Sequence, residues 1–251
     1  MEQYSATVAR FYDLVYDKIR TGVDTQYFMD KILACKGRVL EVGVGTGRFF
    51  IEALQKGADI YGIDISAPML TRLKDKIPQA EWDRVEEQSV TAMQLNGQFD
   101  LIVAPFRVFS HLITIEEQLA ALESIHQHLK PGGQLIFDLF VPNMVLCAQG
   151  KEPHIDFDGE YAPNKKLQRI TSFRPNPIEQ INHVQMEFIW EDENNETQKH
   201  IWSFDMRYYF QYEIRHLIKR SPLILTNIYG DYDEGNLTAE SKDFVVVCER
   251  V

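Results

Sequence analysis

Apolar and polar residues follow one rhythm up to about residue 150 and another beyond it. From Arg38 onward, near-continuous apolar runs at 38–43, 59–64, 99–104 and 134–139, with a weaker one at 82–87, read as strands. Between them, three- and four-residue apolar spacing predicts helices near 47–56, 67–76 and 116–129. In the last of these, Leu119, Leu122, Ile125 and Leu129 share a face. Lys130-Pro-Gly-Gly133 stops that helix, because proline cannot continue it and glycine accepts positive φ. Upstream, residues 4–34 read as helical, with Val8, Phe11, Tyr12, Val15, Tyr16 and Ile19 at helical spacing. Gly22 is expected to end a first helix, and Asp24 or Thr25 to cap a second.

Strands alternating with helices, and apolar on both faces, predict an α/β doubly wound domain with a covered parallel sheet. Past residue 150, strand patterns at 166–174, 180–190 and 198–210 are separated only by polar turns, Arg174-Pro-Asn-Pro177 and Glu191-Asp-Glu-Asn-Asn-Glu196. Consecutive strands of this kind predict an antiparallel β meander. A helix near 211–220 and strands near 223–229 and 243–250 close the chain. Residues 151–210 are therefore read as an insertion, with 37–150 and 211–251 forming one core and 1–36 a separate helical segment.

Composition works mainly by exclusion. At 251 residues and 45% hydrophobic content, the chain can build one substantial core. A net charge of −11, from 26 basic and 37 acidic side chains, repels polyanions and argues against nucleic acid or an anionic membrane surface as partner. The short basic cluster Lys165, Lys166, Arg169 reads as a solvated loop. Cys35, Cys147 and Cys248 are far apart and lack metal-ligand spacing, as expected of reduced thiols. No run approaches the roughly 18 apolar residues of a membrane span. The N-terminus leads into no apolar signal segment. A cytoplasmic protein is expected, with monomer and homodimer both open.

Candidate chemistry centres on Val39–Arg48, where an apolar run carrying Glu41 breaks into Gly43, Gly45 and Gly47 before a helical pattern. Strand, glycine turn and helix bring backbone close to a nucleotide-like ligand. Arg48 stands where a dinucleotide fingerprint has its third glycine, and Glu41 disfavours a pyrophosphate. A carboxylate there suits an ammonium. Asp64, seventeen residues past Gly47, ends the next strand, where an acid accepts both hydroxyls of an unphosphorylated ribose. It also has a helix-capping reading, though Ser66 is available for the cap.

Glu41-Val-Gly-Val-Gly-Thr-Gly47, Ile63-Asp-Ile-Ser-Ala-Pro-Met-Leu70, Phe99-Asp-Leu-Ile-Val103 and Leu129-Lys-Pro-Gly-Gly133 occur in an order and spacing that resemble class I S-adenosylmethionine-dependent methyltransferases. The resemblance covers residues 38–140 and extends more loosely to Phe11-Tyr-Asp13 and Tyr229-Gly-Asp-Tyr-Asp233, as in small-molecule members with a lid helix and a β insertion. It implies a Rossmann-like, seven-stranded sheet whose last strand is antiparallel. Segment 1–36 would be a lid, 37–150 with 211–251 the S-adenosylmethionine-binding core, and 151–210 the acceptor-side lobe. Gly43, Gly45 and Gly47 would approach the methionine part, with Glu41 beside its ammonium. Asp64 would hold the ribose, with Ile65 and Met69 against adenine. Family members often carry an acid where alignment back from Asp100 gives Ser89, which leaves the adenine amino contact to the backbone of Val90. Ala104 and Pro105 would lie near the sulfonium.

The resemblance implies methyl transfer to N or O of a small molecule, a reaction that rests on alignment of the acceptor and needs no metal. A general base is sought beyond the 99–104 strand, since ligands sit outside the carboxyl ends of parallel strands. His111 is the candidate there, with packing under the following helix as its structural alternative. Arg107 is read either as orienting a substrate or as one half of an ion pair. Tyr12 and Tyr16 read either as a packing stripe or as lid hydroxyls, and Tyr229 and Asp231 as reaching the crevice from the late loop. Two other readings are an NAD-dependent oxidoreductase and a non-catalytic S-adenosylmethionine-binding protein.

Overall fold

The computed structural model describes residues 4–19 and 22–251. In chain order the elements are α1 (Ala6–Ile19), α2 (Val23–Ala34), β1 (Val39–Val42), α3 (Arg48–Gln55), β2 (Ile60–Asp64), α4 (Ala67–Lys74), β3 (Val85–Glu87), β4 (Phe99–Ala104), α5 (Ile115–His128) and β5 (Leu129–Phe140). They continue with α6 (Met144–Gln149), β6 (Lys151–Ala162), β7 (Lys165–Asn176), β8 (Ile181–Glu191), β9 (Thr197–Arg207), α7 (Gln211–Lys219), β10 (Ile224–Tyr229) and β11 (Asp243–Glu249). Helix α1 is described to Ile19, and residues 20–21, between it and the Gly22 expected to end it, lie outside the described residues. Gly22 occupies the N-cap position of α2 at φ +74°, so neither Asp24 nor Thr25 caps that helix.

The chain divides into two compact units, one of Gly22–Pro142 with Tyr208–Val251, the other of the segment through Thr21 with Asn143–Arg207. The first holds a seven-stranded sheet in the order β10-β11-β5-β4-β1-β2-β3. Strands β1 to β5 run parallel, and β11 lies antiparallel to β5 and β10. Strand alternation explains why the runs are apolar throughout. Leu40, Val42, Ile102, Leu135, Phe137 and Val246 face one core with Leu122 and Ile125 of α5. Val39, Leu101, Val103, Ile136, Val245 and Val247 face the other, with Phe28 of α2 and Phe49 of α3. Each fully buried side chain of this size contributes about 1.5–3 kcal/mol.

Local signals place the helices. Ser66 caps α4, accepting from Met69 N–H at 3.3 Å, with Pro68 in its first turn. Thr114 and Glu117 form a capping box at α5. Strand β5 begins at Leu129, earlier than expected. The Pro131-Gly132-Gly133 turn joins it through the bonds of Gly132 N–H to Arg250 and of Arg250 N–H to Gly133.

The second unit is an antiparallel four-stranded sheet, β6-β7-β8-β9, covered on one face by α1. Val8, Phe11 and Val15 pack on Phe157, Leu167, Val184, Met186, Phe188, Trp202 and Phe204. The insertion thus has four strands where three were expected, and α6 precedes it. Strand β6 escaped although Ile155, Phe157 and Tyr161 alternate with Asp156, Asp158 and Glu160, because Pro153 interrupts the start of the pattern. As an edge strand β6 tolerates that proline. The division also parts the 1–36 segment, placing α1 with the meander and α2 with the parallel sheet. No helix among the described residues is long and apolar enough to cross a membrane.

Candidate active site

At the carboxyl end of β1 and β2, two acids stand without an ion-pair partner among the described residues. Glu41 is 2% exposed and belongs to the face of β1 that meets α3. Its Oε2 has no hydrogen-bond partner, while the Phe50 N–H donates to the carboxyl group. Burial, and then the neighbouring Asp64, push its pKa well above the ordinary carboxylate value. Asp64 is half-buried and accepts from Gly45 N–H at 2.9 Å through Oδ2 and from Ser66 N–H at 2.8 Å through Oδ1. Burial raises its pKa, and the amide donors of Ser66, Gly45 and Ile65 oppose the shift. Two oxygens offer about four lone-pair sites, so Asp64 keeps acceptor capacity for a hydroxyl.

The three glycines of the turn differ in purpose. A Cβ on Gly43 would stand 2.5 Å from Val108 Cγ2, and one on Gly47 would stand 2.1 Å from Leu73 Cδ1. Those two make room for the protein itself. Gly45, at φ +56°, would place a Cβ in open space, with only the Gly43 carbonyl 3.9 Å away. Its bare face is the part of the turn left for a ligand. An orphaned buried carboxyl, an acid with spare acceptor capacity and an open glycine cradle fit a ligand bearing an ammonium and ribose hydroxyls. S-adenosylmethionine bears both.

The other expected cofactor residues are distributed as follows. Ile65 is half-buried and Met69 fully buried beside the Ser66 cap. Ser89 is exposed and caps the short turn Val90–Ala92, accepting from Thr91 N–H at 3.3 Å. Val90 is partly buried against the core. Ala104 and Pro105 are buried at the end of β4.

Beyond β4 the backbone turns sharply through Phe106 and Arg107, at φ +62° and +60°. Left-handed conformations of non-glycine residues cost roughly 1–2 kcal/mol each, so something must hold this turn. Asp138 on β5, with no exposed surface, accepts the Arg107 N–H at 3.1 Å and pairs with its Nη1 at 2.9 Å. The Arg107 Nη2 pairs with Asp243 at the start of β11. The Tyr232 hydroxyl donates to Asp138 Oδ2 at 2.7 Å. Burial works against the Arg107 charge, but Asp138, Tyr232 and Asp243 outweigh it and raise its pKa. Tyr232 is pushed well above the phenol range by burial and by Asp138. Arg107 is therefore engaged in ion pairs inside the protein, the second of the two readings its sequence offered.

His111 ends the short helical turn Val108–His111 that follows. Burial alone lowers its pKa to about 4. A general base works best with a pKa near the operating pH, so the structure makes His111 a neutral hydrogen-bonding group rather than a strong base. Tyr12 belongs to the meander unit, where its ring lies 4.4 Å from Tyr16 and 6.0 Å from Tyr4. Tyr16 lies under Arg169, whose guanidinium is 5.0 Å from the ring, and the basic cluster read as a solvated loop contains this 2%-exposed arginine, paired with Asp156. From the late loop, Asp231 accepts from Asp233 and Gly235 N–H groups and shapes its own turn, while Tyr229 pairs with Val245 in the sheet. Tyr232 is the residue that reaches inward.

Sequence reasoning missed Asp138, Asp243 and Tyr232, and it missed the partner of Arg48, which is Asp24 at 2.7 Å. An acid inside an apolar strand was the available signal for Asp138, as it was for Glu41.

Residues 40–135 match the methyltransferase domain family. With the sheet order and the glycine turn, this match supports reading the chain as a class I S-adenosylmethionine-dependent methyltransferase, with S-adenosylmethionine as the cofactor. It is 26% identical to a cypemycin N-terminal methyltransferase from a Streptomyces species, over 98% of this chain and 97% of that protein. It is 33% identical to an uncharacterized methyltransferase of Bacillus mycoides over 49% of this chain, a match covering 60% of that protein. Its fold is similar to that of the CcbJ methyltransferase from Streptomyces caelestis, with a TM-score of 0.78 at 20% identity and full coverage of both chains. The oxidoreductase and non-catalytic readings gain no support from these matches.

Proposed function

We propose that the enzyme methylates the nitrogen of an amine carried by a small molecule or peptide. The observation that carries this reading is the similarity to an enzyme acting on an N-terminus, which runs through α1 and the β meander and does not stop at the cofactor domain. An N-terminus is an amine, and the match spans 98% of this chain. When bound, the cofactor supplies a methyl group already activated by a sulfonium.

The protein's own residues then have defined tasks in this reading. Glu41 takes the ammonium, Asp64 the ribose, and the bare backbone at Gly45 lies along the methionine part, with Gly43 and Gly47 shaping the turn. Ile65 and Met69 flank the adenine, whose amino group is met near Ser89 and Val90, and Ala104 and Pro105 border the reacting end. His111, neutral at pH 7, accepts a hydrogen bond from the amine N–H and turns its lone pair toward the methyl. The acceptor must arrive uncharged, because a group titrating near 4 is too weak a base to deprotonate an ammonium. Tyr12 is kept as a candidate contact on the acceptor side. We place the enzyme in the cytoplasm, supported by three cysteines far apart in sequence with no CxxC spacing, and the charge of −11 supports excluding nucleic acid as substrate.

The test is incubation with S-adenosylmethionine and a panel comprising a peptide with a free N-terminus, its N-acetylated form, an amino sugar and the matching hydroxyl sugar. Product mass spectra should show a methyl gained by the amines alone. Methylation of the hydroxyl sugar, or of the acetylated peptide as readily as the free one, contradicts the reading.

A further inference from the structure

The most heavily interlocked charged cluster of the parallel-sheet unit lies directly upstream of His111, and its partners come from three separate stretches of chain. Asp138 grips Arg107 twice, by the backbone N–H at 3.1 Å and by Nη1 at 2.9 Å. Asp243 holds the other side of the guanidinium, and Tyr232 holds Asp138 at 2.7 Å. Arg107 is the residue on which the Val108–His111 turn begins, and its carbonyl accepts the Ser110 N–H at 2.9 Å. Fixing the Arg107 backbone therefore fixes the turn that carries His111. At the far end of the turn Gln118 and Tyr209 donate to the Leu112 carbonyl, while Phe109 stacks on Phe137 at 4.7 Å and Val108 fills the space beside Gly43.

We propose that Arg107, Asp138 and Tyr232 are positioning residues: they clamp the strained turn after β4 and thereby set where His111 stands, without touching the substrate. The proposal rests on His111 being a crevice residue. A hydroxyl from the late loop, an acid from β5 and an arginine from the β4 exit act as one unit, so the loop after β10 helps to determine the geometry of the reacting end. Two consecutive bulky residues at positive φ would otherwise relax toward ordinary backbone angles and carry the turn with them.

Side-chain NMR of the histidines, titrated with pH, tests this without acceptor or cofactor. The chain has seven histidines, and His111→Gln identifies the resonance by its loss. In the wild type His111 should titrate near 4, because burial is the cause of its low value. Tyr232→Phe, which removes one hydroxyl, and Arg107→Lys, which keeps the charge but cannot fork between two acids, should each move that titration up by about one unit or more as water reaches the ring. Arg84→Lys, in an ion pair with Asp59 and Glu81 elsewhere on the sheet, should leave it unchanged. If Tyr232→Phe and Arg107→Lys lower the melting temperature but leave the His111 titration where it was, the cluster is only structural and the proposal fails. An equal shift in Arg84→Lys also overturns it. Should Arg107→Lys not fold, Tyr232→Phe carries the test. A methyl-transfer assay of His111→Gln addresses the ring's own role separately, so the two ideas can fail independently.

Discussion

Two groups of buried or half-buried acids lie at the carboxyl edge of the same sheet, Glu41 and Asp64 on β1 and β2 and Asp138 and Asp243 on β5 and β11, and they are treated in opposite ways. Asp138 and Asp243 surround a guanidinium and a phenol, so their charge is compensated within the protein. Among the described residues, neither Glu41 nor Asp64 is in an ion pair; both are held by backbone N–H groups only. Burying an uncompensated acid is costly, and a protein retains one where something else arrives to match it. In the proposed reading the compensated pair is scaffold and the uncompensated pair binds the cofactor.

Substitution should separate the two groups most widely in stability. Arg107→Ala leaves Asp138 buried without its cation, and such losses cost about 3–5 kcal/mol, to be read from denaturant unfolding. Asp64→Asn removes an unpaired charge but loses one of the two backbone hydrogen bonds to the side chain, so its cost in the same experiment should stay below that of Arg107→Ala. Equal destabilisation by both would erase the distinction.

A middle-sized effect is expected from pH. With its native pKa raised, Glu41 holds a proton in the folded protein that the unfolded chain has already released. Wild-type stability should therefore fall as pH rises from the ordinary carboxyl range toward the raised native value, and Glu41→Gln should flatten that dependence. Arrival of an ammonium favours the ionised form, so S-adenosylhomocysteine binding should release a proton and strengthen with pH. Calorimetry in buffers of different ionisation enthalpy checks this; a binding heat independent of buffer would count against Glu41 as the ammonium partner.

The smallest effect separates the glycines. Gly45→Ala meets open space and should cost only the strain of positive φ, about 1–2 kcal/mol. Gly47→Ala collides with Leu73 and Ile51 as well and should cost more. If the order is reversed, Gly45 is not the open face of the turn.

Much of the cofactor side was legible because it is local. Glu41, three glycines and Asp64 fall within two strand ends, and strand–turn–helix chemistry fixes where those residues point. The parallel sheet was legible for the same reason, each strand being apolar on both faces. Tyr232 was not legible, because Tyr229-Gly-Asp-Tyr-Asp233 contains two tyrosines and only the winding of the loop decides which enters. Asp138 sits in a strand whose partner for its carboxylate lies 31 residues upstream, and Asp243 meets Arg107 across 136 residues. Contacts of that separation leave no spacing to read. Strand β6 was missed because Pro153 interrupts its pattern, an interruption that an edge strand tolerates. The depressed pKa of His111 comes from burial alone, which a sequence does not display.

The most direct test of the central claim is calorimetric titration of S-adenosylhomocysteine into the wild-type protein and into Asp64→Ala. The wild type should bind one equivalent. Asp64→Ala should bind more weakly by the worth of charge-assisted hydrogen bonds, about 1.5–3 kcal/mol or roughly 10- to 150-fold. No binding by folded wild-type protein, or an affinity unchanged by the loss of Asp64, would contradict the account.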